Sequence, residues 1–498
     1  MNQSKLVLVT GATGYIGGRL VPRLLEAGYQ VRCLVRDADR LQGRPWSDQV
    51  DIVEADALRP ETLPEAMAGV WATYYLIHSL SDTKEYRERD IIVARNFGDA
   101  AKAAGIERII YLGGLGDPEA QLSVHLRSRQ ETGAALREAG VPVTEFRAAV
   151  IVGSGSLSFE MIRYLAERLP VMICPRWVYT RIQPTAIEDV LSYLVGALEV
   201  PESAGRVIEI GGADVLTYGD MMKGYAQVRG LRRLLIPVPV LTPRLSAHWV
   251  HWMTPVNAGI VYPLIEGLRN EVVVRNDTAE RLFPDIEPVG YDTAVRRALD
   301  SLESGQVETR WSDSLASTAG DVPPIELTTE EGLQIERRQQ IVDAPPEDVY
   351  AVFSRLGGEQ GWLYADSLWW LRGVADRLVG GPGFRRGRRD PDEVRVGDAL
   401  DFWRVEAVEP DRLMRLRAEM KVPGQAWLQF EARPRDDGKT LLVQTAFLAP
   451  KGLPGFLYWY GLYPFHGPIF GNMIHRVAER AETLSFRDAA TDLPVPAA

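Results

Sequence analysis

Residues 6–20, Leu-Val-Leu-Val-Thr-Gly-Ala-Thr-Gly-Tyr-Ile-Gly-Gly-Arg-Leu, constrain this chain more than any other stretch. Leu6, Val7, Leu8 and Val9 make a continuous apolar run, the pattern of a strand buried on both faces of a parallel sheet. Gly11, Gly14 and Gly17 follow, with Ile16, Leu20 and Leu24 at helical spacing behind them. Gly11 permits a tight strand-to-helix turn, Gly14 lets the backbone approach a pyrophosphate, and Gly17 lets the helix pack closely on the strand. The amino end of that helix presents free N–H groups and a positive dipole end to phosphate. A dinucleotide site built from Gly11, Thr13, Gly14, Tyr15, Ile16 and Gly17 is the expectation.

The size and charge of the chain narrow what can surround that site. At 498 residues it is too long for one core and implies two or three domains. A formal charge of −11 argues against a general nucleic-acid binder. Cys33 and Cys174 are the only cysteines, so no disulfide framework is expected, which fits a reducing cytosol. A first strand starting near residue 5 leaves no room for a signal peptide, so a cytoplasmic protein is expected. Residues 452–475 carry no acidic, Lys or Arg side chain but are interrupted by Pro454, Pro464 and Pro468. They read as a buried or interfacial amphipathic element, with peripheral contact at the inner face of a membrane as one outcome.

Along the first domain, residues 30–35 form the second strand. The position where an NAD site usually carries Asp or Glu holds Arg36, with Arg40 one helical turn on. Two guanidinium groups would clamp a 2′-phosphate that a carboxylate would repel, which favours NADP(H) over NAD(H). Residues 50–55 form the third strand, and Asp56 and Ala57 sit where an adenine would lie. Residues 71–77 form the fourth, ending in Ile77 and His78 at the edge that faces the cofactor crevice. His78 is a proton donor or a wall of the site. Further strands at 108–112, 142–146 and 207–211 alternate with helices at 86–104 and 126–139. That alternation implies an α/β fold with a doubly wound parallel sheet.

Thr10-Gly-Ala-Thr-Gly-Tyr-Ile-Gly17, Val35-Arg36-Asp37 and Asn96-Phe97-Gly98 resemble the short-chain dehydrogenase/reductase superfamily, closest to its atypical NmrA-like or complex-I-accessory-like branch. The resemblance covers about residues 5–300 and implies a Rossmann domain with a small substrate lobe. It also implies a catalytic set of Asn, Ser, Tyr and Lys, with Tyr as the proton donor. Asn96 fits the Asn. The Ser position falls in residues 113–116, which offer no hydroxyl. Taking Glu131 as the branch's helix marker puts Arg127 at the Lys and Ser123 at the Tyr. Arg127 can hold a ribose hydroxyl but cannot tune an acid as Lys does. His125, His78 and Tyr111 are the alternative donors. Two readings follow: an NADP(H)-dependent oxidoreductase acting on a hydrophobic small molecule, or an NADP(H)-binding structural or redox-sensing protein. No metal site is expected.

The remainder divides in three. Trp249, Trp252, Met253 and Tyr262 would give a substrate lobe apolar walls, or fill a small second core. Residues 301–332 are rich in Ser, Thr, Asp, Glu, Gly and Pro and read as a linker or wrapping segment. From 333 to 487, a strand, short helices, antiparallel strand runs and a long C-terminal helix resemble the START-like helix-grip fold, with 488–498 as a disordered tail. Gly361-Trp-Leu-Tyr-Ala-Asp366, Asp401-Phe-Trp-Arg-Val405 and Ala418-Glu-Met-Lys421 resemble a bacterial domain family of unknown function found behind such reductases. Trp362, Trp403, Trp427 and Phe430 would line an apolar cavity for a lipid-like ligand, or fill the core. The basic loop 380–389 would clamp an acidic headgroup, or balance the acids beside it.

Overall fold

The computed structural model describes residues 5–41, 44, 46–77, 84–238, 265–303, 325–330, 333–358, 361–378, 383, 388, 390, 393–435 and 437–491, with side chains at 39–40, 84–86, 301–303, 325–330, 366 and 487–491 excepted. The chain divides into two compact units, 1–320 and 321–498.

In the first unit the strands of the main sheet are β1 (Leu6–Thr10), β2 (Gln30–Val35), β3 (Asp51–Glu54), β4 (Ala72–Tyr75), β5 (Arg108–Gly114), β6 (Val143–Ala148) and β7 (Val207–Ile210). They form one sheet in the order β7-β6-β5-β4-β1-β2-β3, every neighbouring pair parallel. The order reverses between β1 and β4, so the carboxyl ends of those strands flank the ligand crevice of a doubly wound sheet. Strands buried on both faces need a core on each side. On one side lie Leu20, Val21 and Leu24 of α1 (Tyr15–Glu26) with Val190 and Leu194 of the Ile187–Gly196 helix. On the other lie Val93, Ala94 and Phe97 of α2 (Lys84–Ala103) with Ala135 and Leu136 of α3 (Val124–Glu138). The expected α/β doubly wound architecture is present.

Beyond the sheet, Leu234–Val238 pairs in parallel with Val171–Pro175. Trp249, Trp252, Met253 and Tyr262 lie outside the described residues, as do most of 380–389. Of that basic loop, Arg388 is described, and its guanidinium donates to the carbonyls of Ser354, at 2.7 Å, and Leu356.

The second unit is a separate antiparallel sheet: β8 (Ile325–Glu330), β9 (Leu333–Val342), β10 (Ala399–Leu400), β11 (Trp403–Glu409), β12 (Leu413–Ala418), β13 (Gly424–Pro434) and β14 (Thr440–Pro450). Their order is β8-β9-β14-β13-β12-β11-β10. Residues 301–332 are therefore not linker throughout: Ile325–Glu330 pairs antiparallel with β9, a strand whose Thr and Glu content made it look like linker. β11 begins only at Trp403, because Asp401 adopts φ +53° and turns the chain between β10 and β11.

Over one face of this sheet lie helices Pro346–Phe353 and Asp366–Leu378 and the 40-residue α4 (Gly452–Thr491). Met414 and Leu416 of β12 enter the shared core, as their period of two predicts, with Met473 and Val477 of α4. Trp362, Trp403 and Phe430 lie in this core as well. Trp427 does not: Leu428, Phe430 and Ala432 take the inward positions of β13, so alternation sends Trp427 to the opposite face. Contrary to the expected interruption, α4 continues through Pro464 and Pro468. Both prolines lie on its exposed side, where carbonyls deprived of an N–H partner meet water.

Candidate nucleotide site and its surroundings

Gly11 has φ +69°, and a Cβ there would lie 2.7 Å from the Leu76 carbonyl oxygen, so the chain leaving β4 passes directly over the turn. The Gly14 amide donates to the Gly11 carbonyl at 2.9 Å and closes the loop. Gly14 caps α1 with extended backbone, and no side chain occupies the helix end. A Cβ on Gly17 would lie 2.7 Å from the Gly11 carbonyl carbon, which excludes every other residue there. The glycine cradle and the open N–H groups of α1 fit a dinucleotide diphosphate.

Two polar side chains that the sequence reading passed over shape this cradle. The hydroxyl of Thr10 donates to the Tyr74 carbonyl at 3.0 Å and accepts from the Leu76 amide at 2.9 Å, joining β1 to β4 where the order reverses. Arg44, 6% exposed, donates to the Thr13 carbonyl at 3.3 Å, which places a buried cation against the glycine loop. Arg36 is exposed directly after β2. The side chain of Arg40 lies outside the described residues.

The expected adenine wall is ordered by its own bonds. Asp56 accepts from the Leu58 amide at 3.0 Å, and the Asn96 side-chain amide donates to the Ala57 carbonyl at 2.9 Å. Asn96, expected among the catalytic residues, is in this structure the brace of that wall. Ile77 is half-buried, and His78 lies outside the described residues. The Tyr15 ring stacks under the Arg19 guanidinium at 4.2 Å, and Arg19 donates to the Ser154 carbonyl at 3.0 Å. Ile16, in the first turn of α1, packs on the core.

Of the remaining candidates, Tyr111 and Ser123 are engaged within the fold. Tyr111 is fully buried on β5, its hydroxyl donates to the Arg129 carbonyl at 2.8 Å, and burial pushes its phenol up to about 12. Ser123 caps α3, accepting from the Leu126 amide at 3.3 Å, while its own amide donates to the Asn270 side chain. Burial, aided by the Arg129 charge, pushes the His125 imidazole down to about 4, so it is neutral at physiological pH. Arg127 is exposed on α3. Glu131 forms a salt bridge with Arg87, tying α3 to α2. Further along the sheet, Glu145 is fully buried between Arg137 and Arg147, and a side chain at Gly133 would collide with its carboxylate. Among the described residues no group of acids, histidines or cysteines is arranged to hold a metal ion.

Comparison with known proteins agrees with this geometry. Residues 11–150 match the family model described as NAD(P)H-binding, and residues 334–473 match that of a protein of unknown function, DUF2867. Ceramide reductase of Caulobacter vibrioides is 29% identical over 239 residues, covering 47% of this chain and 74% of that protein. The photosystem II assembly factor Ycf39 of Trieres chinensis is 23% identical over 280 residues, covering 53% and 83%. Among solved structures, triphenylmethane reductase of Citrobacter sp. complexed with NADP(H) aligns with 59% of this chain and 99% of its own, at 19% identity and TM-score 0.48. The first unit thus carries an NAD(P)H-binding segment on a doubly wound parallel sheet, and the second carries a segment that matches DUF2867.

Proposed function

We propose that this protein is an NADP(H)-dependent oxidoreductase of the atypical, NmrA-like branch, acting on a hydrophobic small molecule. Two cations carry it: Arg36, exposed directly after β2, and Arg44, buried against Thr13 of the glycine loop. Arg36 stands where an NAD site carries a carboxylate, and a guanidinium there is suited to a 2′-phosphate. The glycine loop and the end of α1 would hold the diphosphate, and Asp56 and Ala57 would border the adenine. When bound, the nicotinamide would supply or accept hydride.

A second reading has its own support. Asn96, Tyr111 and Ser123 spend their hydrogen bonds inside the fold, as befits a protein that holds NADP(H) without turning it over, as a structural or redox-sensing element. Steady NADPH oxidation with a panel of apolar carbonyl or ene substrates supports the enzyme. Tight nucleotide binding with no turnover across that panel leaves the second reading.

The second unit is proposed to hold the apolar ligand in the manner of a START-like helix-grip domain, supported by its antiparallel sheet under one long helix. Peripheral membrane contact is proposed through the outer side of α4. That side exposes Leu457, Tyr460 and Phe465 and is uncharged from Gly452 to His475. No helix among the described residues is long and apolar enough to cross a membrane.

A further inference from the structure

Helical spacing puts Trp369, Gly373 and Asp376 on the inner side of the Asp366–Leu378 helix, and all three are buried. Leu368, Leu371, Ala375 and Leu378 share the opposite side and are exposed, Leu371 at 56% and Leu378 at 85%. Trp370, 59% exposed, flanks that stripe. A surface helix normally keeps polar side chains outside; here the outer side is apolar as well. The one acid between 367 and 378 is Asp376, and its buried carboxylate is taken by the amides of Lys421 at 2.7 Å and Gly383 at 2.9 Å.

This helix runs beside α4 in the opposite direction. Trp369 meets the Phe470 ring at 6.3 Å, and one turn on the Arg372 guanidinium donates to the Tyr458 hydroxyl at 3.3 Å. On α4, Phe465 lies two turns from Tyr458 on the same stripe, and Leu457 lies on the stripe outside it, 57% and 65% exposed. Both helices turn their buried sides to the same sheet face, so their apolar outer stripes open on one side of the unit and adjoin at the Arg372–Tyr458 contact. Soluble monomers rarely leave so broad an apolar surface uncovered.

Cations edge one end of that surface. Arg377 is exposed in the last turn of the Asp366–Leu378 helix. Lys421 is exposed and its carbonyl accepts from Arg372 at 3.2 Å. Exposed Lys451, directly before α4, donates its amide to the Pro423 carbonyl at 2.9 Å. In a chain of formal charge −11, apolar side chains bordered by cations match an anionic lipid surface, whose headgroups meet the cations while the leucines enter the acyl boundary.

We propose that the second unit docks on anionic bilayers through two helices, the outer stripe of Asp366–Leu378 beside that of α4, with Arg377, Lys421 and Lys451 against the headgroups. This rests on the membrane contact proposed above for α4 and adds to it a second helix and a lipid charge.

Co-sedimentation of the full chain with two kinds of vesicle tests it: pure phosphatidylcholine, and phosphatidylcholine with about one third phosphatidylglycerol. Binding at least about tenfold tighter to the anionic vesicles is expected at low salt, with the gap closing at high salt. Leu371→Ser with Leu378→Ser removes the apolar stems without adding a charge that lipid would repel. It should weaken binding to both vesicles by about tenfold or more at an unchanged melting temperature, since both side chains are exposed. Arg377→Gln, Lys421→Gln and Lys451→Gln together should bring anionic vesicles down to the phosphatidylcholine level and leave the latter as it was. Equal parent binding to the two vesicles, or parent-like binding by either variant, would overturn the proposal. If Leu457→Glu with Phe465→Glu still abolishes co-sedimentation in that case, α4 alone touches the membrane and the earlier reading stands. A parent chain that binds neither vesicle defeats both.

Discussion

The Tyr111 hydroxyl, on a fully buried ring, donates to the main-chain oxygen of Arg129 at 2.8 Å. That bond ties β5 to α3 and commits the phenolic proton to the fold. Tyr111→Phe is therefore expected to cost about 1 kcal/mol of stability while leaving any NADPH oxidation at the parent rate. Chemical denaturation read beside an activity assay checks it. A large loss of rate with stability intact would return Tyr111 to the reacting centre.

Gly17 admits no side chain, because a Cβ would press on the Gly11 carbonyl carbon and the Ala12 Cα at the same time. Both are backbone and neither can rotate aside. Gly17→Ala is expected to separate α1 from β1, with a loss of about 2 kcal/mol and nucleotide binding lost or severely weakened. Melting temperature and NADP⁺ calorimetry report the two effects together.

Arg36 is exposed and sits at the end of β2, so removing it should disturb little besides its ligand. Arg36→Ala is expected to weaken NADP⁺ by about 10- to 100-fold, the worth of one charge-assisted contact, and to leave NAD⁺ affinity as it was. Equal weakening of both nucleotides would place Arg36 at the shared part of the cofactor rather than at the 2′-phosphate.

The His125 imidazole gives the fold an acid sensitivity of definite sign. Its folded value is pushed from 6.5 to about 4, so the native state prefers it neutral. Below pH 6.5 the unfolded chain takes a proton that the folded chain refuses. Its contribution to stability is complete above that pH and declines as the pH falls toward 4. Urea midpoints at pH 7 and pH 5 should differ less in His125→Gln than in the parent chain.

The outer side of α4 exposes Leu457 and Phe465. Co-sedimentation with lipid vesicles is expected for the full chain and should be lost in a Leu457→Glu, Phe465→Glu variant that melts as the parent does. Co-sedimentation retained by that variant would dissociate α4 from any membrane contact.

What could be read in advance was local. The apolar run of β1, the glycine turn and the opening of α1 occupy consecutive residues, and sterics alone dictate their shape. The sheet order follows from strand–helix alternation once crossovers are right-handed. What escaped was tertiary. Arg44 meets Thr13 from 31 positions away, and Thr10 bonds across to β4, 64 residues on, through an unremarkable hydroxyl. The roles of Asn96 and Tyr111 depend on main-chain oxygens brought to them by other elements, which no spacing encodes. In the second unit, Pro464 and Pro468 suggested an interrupted helix, and what overrode them was their placement on the watered side.

The double bond made by the Thr10 hydroxyl carries one more consequence. A single rotor latches the two halves of the sheet along their dividing seam, so neither half can shear past the other without releasing both bonds. The groove mouth is thereby set before any guest arrives, little ordering entropy is left for association to supply, and the Leu76 amide should resist deuterium exchange as stubbornly in the empty protein as in the loaded one.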